Sequence, residues 1–268
     1  MRRTLCGLAI VATAGTGASP TRAVGSPFPP FAVVELFTSE GCSSCPPAEQ
    51  IFSDLLAGAE ARRQPVYGLA FHVDYFDDQG WKDPFSSAAS TDRQNAYQPF
   101  TRTGEVYTPQ MIVNGTEELV GAERSRAGRD VDAALASPAR AGVELHVVPA
   151  TPSRERGSAP AGAVTVSYSV TGAPGRAVLD LALVESGVTS RVSAGENAGR
   201  TLRHDNIVRA FVTVSLGRRP TGAATLVMPA GVVAGQASII AFVQDPSSMA
   251  ILGAARTGVP DTVRPATE

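Results

Sequence analysis

Charge is scarce in this 268-residue chain: 18% of its residues are Asp, Glu, Lys or Arg, against ~25% in an average globular domain. Basic runs are missing, and 23 Lys and Arg against 25 Asp and Glu leave a formal charge of −2. The electrostatic footprint of a nucleic-acid binder is therefore absent. No segment has the ~20 consecutive apolar residues that a membrane-spanning helix requires. There is no glycine-rich phosphate loop, no histidine pair of the zinc-protease type and no Gly-x-Ser-x-Gly elbow, which leaves nucleotide and hydrolase chemistry without support. Cysteine is scarce too. Cys6, Cys42 and Cys45 are the three present, and without a second cysteine pair they do not make a structural zinc site, which usually takes four protein ligands.

What is present is a globular composition, 43% hydrophobic, with 26 Gly and 20 Pro placed mostly between short β-branched runs, the pattern of many strands and turns. The N-terminus joins Met1-Arg2-Arg3 to an apolar stretch, Leu5 to Ala14, and to small residues through Thr21-Arg22-Ala23. This is the layout of a cleaved export signal over 1–23, so a periplasmic or secreted protein is expected. Arg3-Thr4-Leu5 before Cys6 is not a lipobox. Cleavage removes Arg2, Arg3 and Arg22, taking the charge from −2 to −5, and removes Cys6. Cys42 and Cys45 then remain in a compartment where disulfides persist. A bond between them closes almost no loop, and loop closure is how a structural disulfide stabilises, so the pair points to chemistry rather than to stapling.

Val33-Val34-Glu35-Leu36-Phe37 reads as a strand and Thr38-Ser39-Glu40-Gly41 as a turn. Ala48, Ile51, Phe52, Leu55 and Leu56 then mark one face of a helix, with Pro46 and Pro47 tolerated in its first turn. Val66–Val73 is an apolar run of the kind found in central parallel strands. A helical region of weak periodicity follows around Ser86–Phe100. Tyr107–Val113 enters a third strand, Asn114-Gly115 signals a two-residue hairpin, Glu118-Leu119-Val120 returns, and Val131, Ala134 and Leu135 stripe a last helix. From Gly142 the pattern changes to short alternating strands near 143–148, 164–170, 177–185, 207–216, 223–229, 237–244 and 250–256, separated by Gly and Pro turns. The expectation is an α/β domain over 30–139 followed by an all-β, immunoglobulin-like sandwich domain over 142–258.

A Cys-x-x-Cys at a strand-to-helix junction has a defined mechanism. The thiolate is the nucleophile, and free N–H donors and partial positive charge at the helix N-terminus favour it. Cys42 is assigned as the attacking thiol and Cys45, one turn on, as the resolving thiol. Ser43 and Ser44 can offer hydroxyl and amide donors to the Cys42 sulfur. Two other readings stand beside redox exchange: Cu(I) binding through the soft thiolates, and an inert disulfide in a non-catalytic envelope binding module.

The order strand, Cys-x-x-Cys, helix, strand, helix, Thr-Pro, hairpin, helix resembles the thioredoxin fold. More closely, Glu35–Ala48, Phe71–Tyr75, Gly80–Phe85 and Val106–Met111, with Glu196-Asn197, Gly199–Leu202 and His204–Asn206, resemble an exported bacterial family known as domain of unknown function 1223. The likeness covers nearly the whole mature chain and implies a thioredoxin-like fold, while the family carries no settled activity. It implies that Pro109 is the cis-proline facing the dithiol and that Thr108 offers backbone groups to an extended substrate peptide. Gly41 and Ser43-Ser44 depart from the thioredoxin pattern, so no redox potential carries over. The buried acid usual six residues before the first cysteine is Leu36 here. Glu35 lies seven before, on the opposite strand face, and serves as proton acceptor only across a bulge, otherwise as a surface or salt-bridged glutamate.

Among other candidates, His72 is an acid-base group, a third copper ligand or a hydrogen-bonded structural histidine. Asp74, Asp77 and Asp78 form a cation cluster or a solvated turn. Trp81 walls a groove or anchors its loop, and Glu196–Arg209 is a ligand loop, a docking segment or a polar network that holds its own loop. The reading is an exported thiol-disulfide oxidoreductase acting on protein thiols or disulfides with a further redox partner. No cofactor, resident metal or nucleic acid is expected.

Overall fold

The computed structural model describes residues 27–150, 162–218 and 220–263. The expected signal over 1–23, with Cys6, lies outside them. Four strands and three helices come first: β1 (Ala32–Thr38), α1 (Cys45–Ala61), β2 (Val66–His72), α2 (Ala88–Tyr97), β3 (Gln110–Val113), β4 (Glu117–Val120) and α3 (Arg124–Leu135). β1 pairs in parallel with β2 and antiparallel with β3, and β3 pairs antiparallel with β4. The hairpin loop has three residues rather than two, because Val113 pairs with Glu117, and Asn114 and Gly115 both take positive φ, 47° and 77°.

α1 and α3 cover one face of this sheet. Val34, Leu36 and Met111 pack there against Ala48, Phe52, Ala127 and Val131, and full burial of a side chain such as Phe52 contributes about 2–3 kcal/mol. α2 lies on the opposite face. Ser87 caps it by accepting from the Ser90 amide, and its buried residues are Ser90, Gln94 and Tyr97, which explains the weak apolar periodicity: this helix buries a polar network.

The C-terminal region holds β5 (Gly142–Pro149), β6 (Ala163–Thr171), β7 (Val178–Glu185), β8 (Val188–Arg191), β9 (Thr201–His204), β10 (Ile207–Ser215), β11 (Thr221–Val227), β12 (Ala237–Gln244) and β13 (Ile251–Gly258). All seven expected strands form, and β8 and β9 are added as a separate hairpin. The immunoglobulin-like sandwich needs correction. β13, β12, β7 and β10 continue the sheet of the α/β region through a parallel contact of Ile207 with Ala70, giving one eight-stranded sheet in the order β13-β12-β7-β10-β2-β1-β3-β4. Only β11, β6 and β5 form the facing sheet. Alternation showed which side chains of each strand face inward; it carries no information on which strand lies alongside, and β2 offered β10 a free edge.

Val164, Val166 and Val170 pack against Leu179, Leu181, Leu183, Ile239 and Val243 between the two sheets. On the other face of the large sheet Val33, Phe37, Leu69 and Phe71 share a core with Val184, Ile240, Phe242 and Tyr97. The two halves also meet at the β3–β4 turn, where the Ile251 amide donates to the Asn114 carbonyl at 3.0 Å. A Cβ on Gly115 would stand 1.9 Å from the Met249 carbonyl oxygen, so that close approach requires glycine. Among the described residues no helix is long and apolar enough to cross a membrane.

Candidate functional site

β1 delivers the chain into Ser39–Ser44, and α1 opens at Cys45 with Ser44 as its N-cap. Cys42 and Cys45 are joined by a disulfide with Cα atoms 5.4 Å apart. Cys42 is 2% exposed and Cys45 0%. The Ser44 hydroxyl caps no helix amide; it lies 3.3 Å from the Cys42 sulfur instead. No acidic side chain occupies the first turn of α1, and the positive end of the helix favours a thiolate. The Thr108–Pro109 peptide is cis. Pro109 lies by the first turns of α1, since a Cβ on Gly121 would meet Ala48, Leu36 and Pro109 at 3.0 to 3.2 Å.

The C-terminal region reaches over this loop. Asn197, fully buried, donates through Nδ2 to the Glu40 carbonyl at 2.8 Å and to the Cys42 carbonyl at 3.0 Å. Arg200 holds its Oδ1 at 2.7 Å. Glu196 accepts from the Ser43 amide at 2.8 Å, and the Ser43 side chain together with this amide lowers its carboxyl below the ordinary value. The Ser43 amide expected to face the Cys42 sulfur is therefore engaged by a carboxylate.

The sequence profile described as "Protein of unknown function (DUF1223)" matches residues 33–244. The chain belongs to the DUF1223 family. Protein AGR_C_4864 from Agrobacterium tumefaciens has a similar structure, with a TM-score of 0.60 and 26% identity over 88% of this chain and 97% of that one. HBP35 of Porphyromonas gingivalis shares the fold at a TM-score of 0.61 and 16% identity, over 91% of this chain and 79% of that one. No curated protein matches the chain. This DUF1223 member thus has a thioredoxin-like fold region, with a disulfide-forming cysteine pair at a helix N-terminus.

Behind the dithiol loop of the DUF1223 chain lies a buried polar cluster. His204, 1% exposed, bridges two carboxylates, Glu49 on Nδ1 at 2.7 Å and Glu40 on Nε2 at 3.0 Å. Burial alone would lower the imidazole, but the hydrogen bonds and charges of Glu40 and Glu49 outweigh it and raise it to about 10. The ring is therefore an imidazolium at neutral pH. Glu40 also accepts from Trp81 Nε1 at 2.8 Å and from the Ser190 hydroxyl, while Thr38 donates to the other oxygen of Glu49 at 2.6 Å. His72 Nδ1 is 2.7 Å from Asp83 Oδ2. Burial pushes the Asp83 carboxyl up, yet the His72 ring and the Glu40 and Phe85 amides pull it net below its usual value.

The remaining candidates fall apart from the dithiol. Glu35 is buried on the α2 face, paired with Arg93 at 2.9 Å and bonded by Tyr97, while Leu36 faces α1. Arg93 also lies 3.6 Å from Asp180 of β7 and donates to Gln244 of β12, so Arg93 ties α2 both to Glu35 of β1 and to the C-terminal strands. Asp74 accepts from Thr91 and Asp77 from Ser86 and the Asp83 amide, which ties the loop to itself and to α2. Trp81 anchors its loop on Glu40 and lies against Gly195. Sequence reasoning missed Glu40, Glu49 and Asp83. Glu49 was within reach, four residues after Cys45 and so on the same helical face.

Proposed function

We propose that this DUF1223 protein is an exported thiol-disulfide oxidoreductase acting on protein thiols or disulfides. The observation that carries the reading is a disulfide of sequence separation 3 at the N-terminus of α1, where a cross-link constrains nothing and a thiolate is favoured. In the oxidising direction a substrate thiolate attacks Cys42 Sγ. The Cys42–Cys45 bond breaks and Cys45 leaves as a thiolate. A second substrate thiolate then attacks its own sulfur in the mixed disulfide, releasing Cys42 and leaving the substrate oxidised and the protein a dithiol; a partner disulfide takes the two electrons back. Thr108 and Pro109 present backbone groups to the substrate chain. Near-complete burial of Cys42 requires the Glu196–Asn197 segment to yield first, which gives the C-terminal region, on the far side of a boundary near 138–142, the role of a cover. Residues 1–23 serve as the export signal.

The test is a redox titration of the Cys42–Cys45 pair against glutathione, paired with trapping by Cys45→Ser. A potential well above about −300 mV, with mixed disulfides accumulating on Cys42, is the expected result. A potential below that value and no trapped species would mark the bond as inert.

A further inference from the structure

Glu49, His72 and His204 come from α1, β2 and β9, and all three are buried. One ligand atom from each lies within 4.8 Å of the other two. The His72 and His204 rings meet edge to face, with centroids 5.0 Å apart at 76°. His72 is 1% exposed, and its Nε2 has no hydrogen-bond partner among the described residues. A buried ring nitrogen left unbonded costs free energy unless something occupies it. Because Asp83 is a carboxylate on Nδ1, that nitrogen carries the proton and Nε2 is the atom left to coordinate.

We propose that Glu49, His72 and His204 bind one divalent transition-metal ion, zinc being the best fit, in a two-histidine, one-carboxylate site beside the dithiol loop. Each ligand is held on its far side by a partner of the kind that orients metal ligands. His72 Nδ1 is held by Asp83 at 2.7 Å, His204 Nε2 by Glu40 at 3.0 Å and Glu49 Oε1 by Thr38 at 2.6 Å. The ion replaces the proton now shared by His204 Nδ1 and Glu49 Oε2, 2.7 Å apart. Metal bonds of about 2.0–2.1 Å in a tetrahedron set ligand atoms roughly 3.3 Å apart, so this pair opens by only a fraction of an ångström. Charge is favourable as well: a divalent cation in place of one proton meets the three buried carboxylates of Glu40, Glu49 and Asp83. Two imidazoles and one carboxylate suit zinc, and they leave a fourth coordination position open. This site uses neither cysteine and is compatible with the disulfide.

The experiment loads the oxidised full chain, freed of metal by chelator, with Zn(II), and with Co(II) as a spectroscopic stand-in. One equivalent per chain is expected, with visible cobalt bands of a nitrogen and oxygen site and no thiolate charge-transfer band. Asp83→Asn should weaken affinity 10- to 100-fold, in the range seen for partners of ligating histidines, and His72→Gln should weaken it by at least as much. The Cys42→Ser, Cys45→Ser double variant should bind as the parent does. Absence of stoichiometric binding to the parent chain overturns the proposal whatever the variants do. So does binding that survives His72→Gln, or binding that needs the cysteines. Since metal uptake is read on the disulfide form, its failure leaves the oxidoreductase reading untouched, and the reverse also holds.

Discussion

The imidazolium of His204 makes a stability prediction that the structure fixes in sign and size. Its pKa is raised to about 10 in the folded chain, against ~6.5 in an unfolded one. A raised pKa means that the folded state holds the proton longer. The stabilisation is therefore complete below about pH 6.5, declines by about 1.4 kcal/mol per pH unit above it, and is gone beyond about pH 10. Over that whole window the loss approaches 4–5 kcal/mol, and between about pH 7.5 and 9.5 it is about 2.7 kcal/mol. Urea unfolding at several pH values, with a chelator present and the disulfide intact, measures it. The cysteines do not titrate as a disulfide, and burial raises Tyr67, Tyr75, Tyr97 and Tyr107 above the ordinary tyrosine value, so these groups stay protonated in the folded chain across the window. His204→Gln removes the cation between Glu40 and Glu49, costs about 3–5 kcal/mol and abolishes the slope. A flat profile in the parent chain refutes the reasoning even if the variant does not fold.

Two further outcomes are expected. Arg93→Met leaves Glu35 and Asp180 buried without their cation, costing about 3–5 kcal/mol in urea unfolding, while the redox equilibrium of the dithiol stays where it was; a shifted potential with unchanged stability would instead tie Glu35 to the cysteines. Asn197→Ala strips donors from the buried carbonyls of Glu40 and Cys42, with a loss of about 2–4 kcal/mol. The same variant should be reduced faster by a small thiol, and an unchanged rate would show that Asn197 does not guard Cys42.

Local order was open to reading before any coordinates. The apolar spacing of Ala48 through Leu56 defined α1, the two prolines marked its first turn, and Cys42 and Cys45 fell at its start because the strand before them ends in a turn. Alternation from Val164 to Val170 identified β6 for the same reason: the period of side chains along a strand or helix is a property of the backbone. The four-residue strands β8 and β9 escaped because so short a segment carries no period and, unlike β3 and β4, they are joined by no Asn-Gly turn, and α2 was faint because what it buries is polar.

The sequence by itself determined the longer strands and α1, which of their faces are apolar, and where the dithiol stands. Tertiary structure decided the rest. Only the pairing of β10 with β2 makes one sheet of two halves, since an edge strand accepts any partner whose backbone can reach it. Only that sheet brings Asn197 onto the Cys42 loop, Arg93 onto Asp180, and His204 between Glu40 and Glu49, and Asn197 and His204 lie more than 150 positions from the residues they meet. Such contacts depend on long-range closure of the chain, which no local spacing records.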